Sequence, residues 1–179
     1  MGRQIWNRIL VFVLAIQTLL PIFIVCSQEQ QAPPLVGAFS FTHEYTLPGT
    51  PEVIYDTITG DISGWWDHSF SEEPFKLYID AKPGGGFYEI FDESGDGVLH
   101  ATVTAAQRGV MLRFTGPLGL AGNAIDLVNT YTFKSVGDDS TRLTLNVHAA
   151  GEMDPEWPQV VEQVWRHFLG EQFVNFVAP

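Results

Sequence analysis

Between residues 75 and 149 the sequence breaks into six strand-length runs, each closed by turn residues, and this pattern constrains the fold more than any other feature. The runs 75–81 and 87–92 end at Pro83-Gly84-Gly85-Gly86 and Ser94-Gly95-Asp96-Gly97, and 98–106 ends at Arg108-Gly109. The run 110–115 enters a Gly- and Pro-rich loop over 116–122. The last two, 125–136 and 141–149, flank Gly137-Asp138-Asp139-Ser140, a hairpin turn. A meander of this size curls and leaves one apolar face to be covered. The cover follows at once. Residues 155–176 place Val160, Val161, Val164, Trp165, Phe168, Leu169 and Phe173 three and four apart, which is one face of a helix. Asp154 is its expected cap, with Pro155 near its start.

Upstream, residues 38–47 alternate apolar and polar positions and predict a half-buried strand. Thr50 caps a short helix with Pro51 at its first position, and a second short helical segment over 61–67 carries Trp65 and Trp66. One strand, two short helices, a meander and a closing helix make an α+β domain.

The stretch Pro51-Glu52-Val53-Ile54-Tyr55-Asp56 after the first strand, the Trp65-Trp66 pair and the Pro83-Gly84-Gly85-Gly86-Phe87 turn run in a telling order. The hairpin ending Ser140-Thr141-Arg142-Leu143-Thr144-Leu145 and the aromatic-rich last helix complete it. Together, over residues 38 to about 176, they resemble the START-like (SRPBCC) superfamily with the helix-grip fold. More narrowly, they resemble the branch related to the C-terminal domain of the activator of Hsp90 ATPase, often grouped with polyketide cyclases. The resemblance implies a curved antiparallel sheet wrapped around a long C-terminal helix, with a cavity between them. It implies function only loosely, because superfamily members bind lipids, hormones and polyketides, and some act on them.

The N-terminus reads as an address. Arg3 and Arg8 precede the apolar run 9–26, and the polar SQEQQAPP follows. Residues 1–27 are therefore expected to be a signal peptide or an uncleaved membrane anchor, 28–37 a linker and 38–179 the domain. Both readings place the domain outside the cytoplasm, periplasmic or secreted; under the second, residues 9–26 tether it to a membrane. Acidic residues outnumber Lys and Arg 21 to 9, for a net charge of −12, which repels phosphate backbones and excludes nucleic acid as a partner. The single cysteine, Cys26, lies in the apolar run, so the domain has no disulfide framework, no thiolate zinc site and no cysteine nucleophile.

Chemistry-bearing candidates are few. No serine sits in a nucleophile elbow, and Gly84-Gly85-Gly86 leads into a strand rather than a helix, which makes it a turn and not a phosphate cradle. None of His43, His68, His100, His148 and His167 has a metal-binding spacing, and Asp92, Glu93 and Asp96 lack that of a calcium loop. No metal and no cofactor are expected. His43 and His100 lie in strands, where a histidine paired with a carboxylate could act on a bound carbonyl. Arg113, between Leu112 and Phe114, is either a charged anchor in the cavity or an outer-face residue. Alternation groups Asn129, Tyr131 and Phe133 on one side of their strand and Leu143, Leu145 and Val147 on one side of theirs, and both sets are assigned to the concave face.

The expected ligand-binding residues are Trp65, Trp66, Phe87, Asn129, Tyr131, Phe133, Trp165 and Phe168. The favoured reading is a monomeric carrier of an apolar small molecule or lipid. A cyclase- or hydrolase-type enzyme is the second, and an interaction domain of the Hsp90-activator type the third, which an export signal disfavours. A histidine beside an acid in the cavity would favour the enzyme, an unbroken apolar lining the carrier, and a filled interior the interaction domain.

Overall fold

The computed structural model describes residues 33–178. The expected signal or anchor lies outside the described residues. β1 (Val36–Pro48) is followed by α1 (Pro51–Ile58) and a two-residue β2 (Gly60–Asp61). The meander then runs through β3 (Lys76–Ile79), β4 (Gly86–Ile90), β5 (Gly97–Gln107), β6 (Met111–Gly116), β7 (Ile125–Ser135) and β8 (Ser140–Glu152). The terminal helix comprises α2 (Trp157–Trp165), a π-helical stretch (Arg166–Phe173) and α3 (Val174–Val177). All eight strands form one antiparallel sheet in the order β1-β8-β7-β6-β5-β4-β3-β2.

The two longest pairings show why the sheet has one apolar face. Val36 faces Glu152 and Pro48 faces Ser140 across β1 and β8, with no break in register. Along β7 and β8 the odd residues are buried, among them Leu127, Asn129, Tyr131, Leu143, Leu145 and Val147, and they form the concave face as alternation predicts. The terminal helix lays Val161, Trp165, Phe168, Leu169 and Phe173 onto this face, each less than 9% exposed.

Local chemistry sets the short elements. Thr50 accepts from Val53 N and Pro51 occupies the first turn, which starts α1 as predicted. At the glycine run, Gly84 takes φ +81°, and a side chain at Gly85 would lie 2.1 Å from the Asp80 carbonyl oxygen, so the run is the β3–β4 turn. The second expected helix is a single turn, in which Trp65 N and Trp66 N both donate to the Ile62 carbonyl. Asp61 Oδ1 accepts from Ser63 N (3.0 Å) and Ser63 Oγ (2.7 Å), and Gly64 follows. A seven-residue segment diverted into such a turn cannot offset the cost of nucleating a helix.

Candidate ligand cavity

Between the sheet and α2 lies a cavity of about 400 Å³. Phe87, His100 and Leu127 form its floor, and Val161, Val164, Trp165 and Phe168 its roof. Residues 66–70 close one side, and the arch Pro117-Leu118-Gly119-Leu120 closes the other. Trp66 stacks on Phe168 with ring centroids 3.8 Å apart, and meets Phe87 (5.0 Å) and Trp165 (5.8 Å) edge-on. A second depression of about 450 Å³ lies on the convex side, over Ala38, Ser40, Val128 and His148. Those positions are mostly exposed, so the depression is a trough in which water competes for every contact; the cavity under the helix is the more shielded of the two.

One polar device is built into the apolar wall. On β4, Phe87 and Glu89 share parity, so both point inward, and Glu89 is fully buried. Phe87 pairs with Ala101 and Tyr88 with Leu99, which leaves His100 as the extra residue of a bulge on β5. A bulge re-aims its side chain, here into the cavity. His100 Nε2 lies 3.0 Å from Glu89 Oε2. Glu89 also accepts from Phe70 N (2.8 Å), Ser71 N (2.7 Å) and Ser71 Oγ (3.1 Å), which clasps the 69–71 loop against the sheet. Burial raises the Glu89 carboxyl, but the hydrogen bonds from Phe70, Ser71 and His100 outweigh it and hold the group below its ordinary range. Glu89 is thus ionised at neutral pH, with four donors around it.

The opposite wall is tied differently. Leu118 has φ +50°, a left-handed conformation that costs an L-residue roughly 1–2 kcal/mol. The arch makes short-range bonds, Leu120 N to the Pro117 carbonyl and Asn123 N to the Leu120 carbonyl.

Of the residues expected to bind ligand, Trp66, Phe87, Trp165 and Phe168 line the cavity. Trp65 is buried beside it, edge-on to Phe173 at 4.9 Å. Asn129, Tyr131 and Phe133 are buried on the same concave face, outside the lining. Tyr131 meets Trp165 edge-on at 6.0 Å, and burial pushes its phenol well above the ordinary value, so it stays protonated. Phe133 packs on Tyr55. Among the described residues, neither amide atom of Asn129 has a partner, nor has His43 Nε2, also on the concave face. Arg113 lies on the convex face, where its Nε donates to Thr130 Oγ1 at 2.9 Å. Glu89 escaped the sequence reading, although its parity with Phe87 was the available signal. The arch carries no such signal.

No family model and no curated protein matches the sequence. The likeness is in three dimensions. A Chromobacterium violaceum protein superposes with a TM-score of 0.53 at 20% identity, covering 78% of this chain and 97% of its own. Ara h 8.0201 gives 0.54 at 17% identity, over 79% of this chain and 98% of its own. The Aha1 dimer from Colwellia psychrerythraea gives 0.52 at 14%, over 78% and 96%. The shared feature is the fold, an α+β helix grip in which a curved antiparallel sheet meets a long C-terminal helix. In this helix grip the cavity occupies the gap between curved sheet and terminal helix, where the resemblance in sequence placed it.

Proposed function

We infer that the domain is a carrier for an apolar small molecule or lipid, and that it works outside the cytoplasm. The observation that carries this reading is the apolar cavity of about 400 Å³ roofed by α2, within the range of roughly 300–1,000 Å³ in which proteins bind small ligands. Its aromatic floor and roof favour a ligand with a flat or unsaturated body, and His100 offers one hydrogen-bonding group to its polar end. The basic start and apolar run of residues 1–26 support the location. The interaction-domain reading asks for a filled interior, which this cavity does not provide.

The test is native mass spectrometry of the full chain purified from its own host, with organic extraction of whatever is bound. A recurring apolar molecule is expected, and Val164→Trp, which projects into the mouth from a partly exposed position, should lower its affinity at least tenfold. Ser40→Trp, on the convex trough, should leave it unchanged. An empty protein that binds neither fatty acids nor aromatic ketones tighter than about 1 mM would overturn the reading.

The His100–Glu89 pair supports a second reading, an enzyme of the cyclase or hydrolase type. A buried, ionised carboxylate fixes the imidazole's orientation, as acid–base chemistry requires. His100→Gln separates the two. A carrier has no turnover to lose, whereas an enzyme keeps its ligand and loses roughly 10²–10⁴-fold in rate.

A further inference from the structure

A second group of titratable side chains stands at the cavity mouth, apart from the Glu89 clasp. Asp67 and His68 follow Trp66, and His167 lies in the π-helical stretch a hundred positions later. Asp67 Oδ1 is 2.8 Å from His68 Nδ1, and its Oδ2 is 2.8 Å from His167 Nε2. One ligand atom from each of the three residues falls within 4.8 Å of the others. Behind them, His167 Nδ1 is 2.9 Å from Glu171 Oε2, and Gln172 Nε2 donates to Asp67 Oδ2 at 2.9 Å.

A loop tied to a helix needs one such hydrogen bond. Here two imidazoles converge on one carboxylate, and one of them has its remote nitrogen on a second carboxylate. That outer pairing fixes the tautomer and orientation of metal-bound histidines. Two nitrogens and an oxygen are the donor set of zinc-class cations, and hard calcium or magnesium sites are built from oxygen alone. The geometry points to a divalent-cation site of the zinc class formed by Asp67, His68 and His167, with Glu171 as the positioning residue behind His167. An ion bound at about 2.0–2.1 Å replaces the two Asp–His hydrogen bonds and draws the three tips together. The side chains are free to make that move, being 40% (Asp67), 64% (His68) and 31% (His167) exposed. Three protein ligands leave a fourth position open, and because His68 also lines the cavity, that position lies at its mouth. The ion would also staple the 61–75 segment to the terminal helix. The histidines carry no motif spacing because the site is assembled across the fold.

The experiment uses the full chain stripped with chelator, titrated with zinc chloride by calorimetry and with cobalt chloride by visible absorption. One equivalent should bind with a micromolar or tighter constant, cobalt should give four-coordinate d–d bands, and Tm should rise about 5–10 °C at a hundredfold excess over Kd. His68→Ala and His167→Ala should each weaken zinc at least tenfold. Glu171→Gln should do so by roughly 10–100-fold without removing a ligand, which a merely structural contact would not. His68 is exposed, so its variant keeps the core intact and decides the matter should His167→Ala misfold. Cys26→Ser and His148→Ala should bind as wild type. No saturable binding below about 100 µM zinc, or undiminished affinity in His68→Ala, overturns the assignment.

Discussion

Glu89→Gln is the most informative single change to this protein, because it keeps the side chain's shape and removes its charge. The carboxylate receives Ser71 N and Ser71 Oγ on Oε1, and Phe70 N and His100 Nε2 on Oε2. A glutamine keeps one acceptor oxygen. Set on the Ser71 pair, it turns its amide NH2 towards Phe70 N–H, donor against donor. A hydrogen bond to a charged group contributes roughly 1.5–3 kcal/mol, and an orphaned donor costs about 1–3 kcal/mol. The variant should therefore be about 2–4 kcal/mol less stable, with Tm lowered by about 5–15 °C for a chain of this size. Urea unfolding followed by tryptophan fluorescence reads the effect directly, since Trp66 packs beside the clasped loop. The pH dependence follows from the direction of the shift. The folded carboxyl holds its proton less tightly than the unfolded one, so its stabilisation is complete above the ordinary glutamate pKa of roughly 4.3 and is lost as pH falls through the lower folded value. The gap between wild type and variant should be flat from about pH 6 to 8 and shrink below about pH 4.5. A variant within about 0.5 kcal/mol of wild type at pH 7, or a gap that widens on acidification, refutes the account of the clasp.

Asn129→Leu should raise stability by about 1 kcal/mol or more, because it replaces a buried amide whose two polar atoms have no partner among the described residues with an apolar group of similar size. A lower urea midpoint would show instead that the amide is bonded inside the folded protein. Thr50→Ala should cost about 0.5–1 kcal/mol, at the modest end for a helix cap because its bond to Val53 N is 3.5 Å long; an unchanged midpoint would remove Thr50 as the start signal of α1. Loss of ligand in Val164→Trp and loss of zinc in His68→Ala complete the set.

The sheet was legible in the sequence where strands were long and turns strong. Period-two alternation put Asn129, Tyr131 and Phe133 on the concave face together with Leu143, Leu145 and Val147, and eleven- and thirteen-residue strands leave no freedom to slip. Alternation breaks at β5, where the bulge at His100 switches which residues face inward, and that switch decides the cavity's polar group. The 69–71 loop and the arch at Leu118 have no period to read. Asp67 and His167 are neighbours only after the helix has closed on the sheet, so no spacing along the chain announces them. The 61–67 segment, expected as a second short helix, closes instead into a single turn because Asp61 ties the backbone of Ser63 to its own side chain.

The π-helical stretch also changes how the terminal helix should be counted. Val174 N reaches back five residues to the Leu169 carbonyl, so a turn here is wider than in the rest of the helix. Phe168 and Phe173, five apart, would point about 140° away from each other on an α-helix. Here one stacks on Trp66 and the other meets Trp65 edge-on, so two adjacent tryptophans are matched to two phenylalanines one wide turn apart. The phase of the chain past Arg166 is thus locked by four rings. Evolution can exchange residues in this stretch, but losing or gaining one would rotate everything after it out of contact.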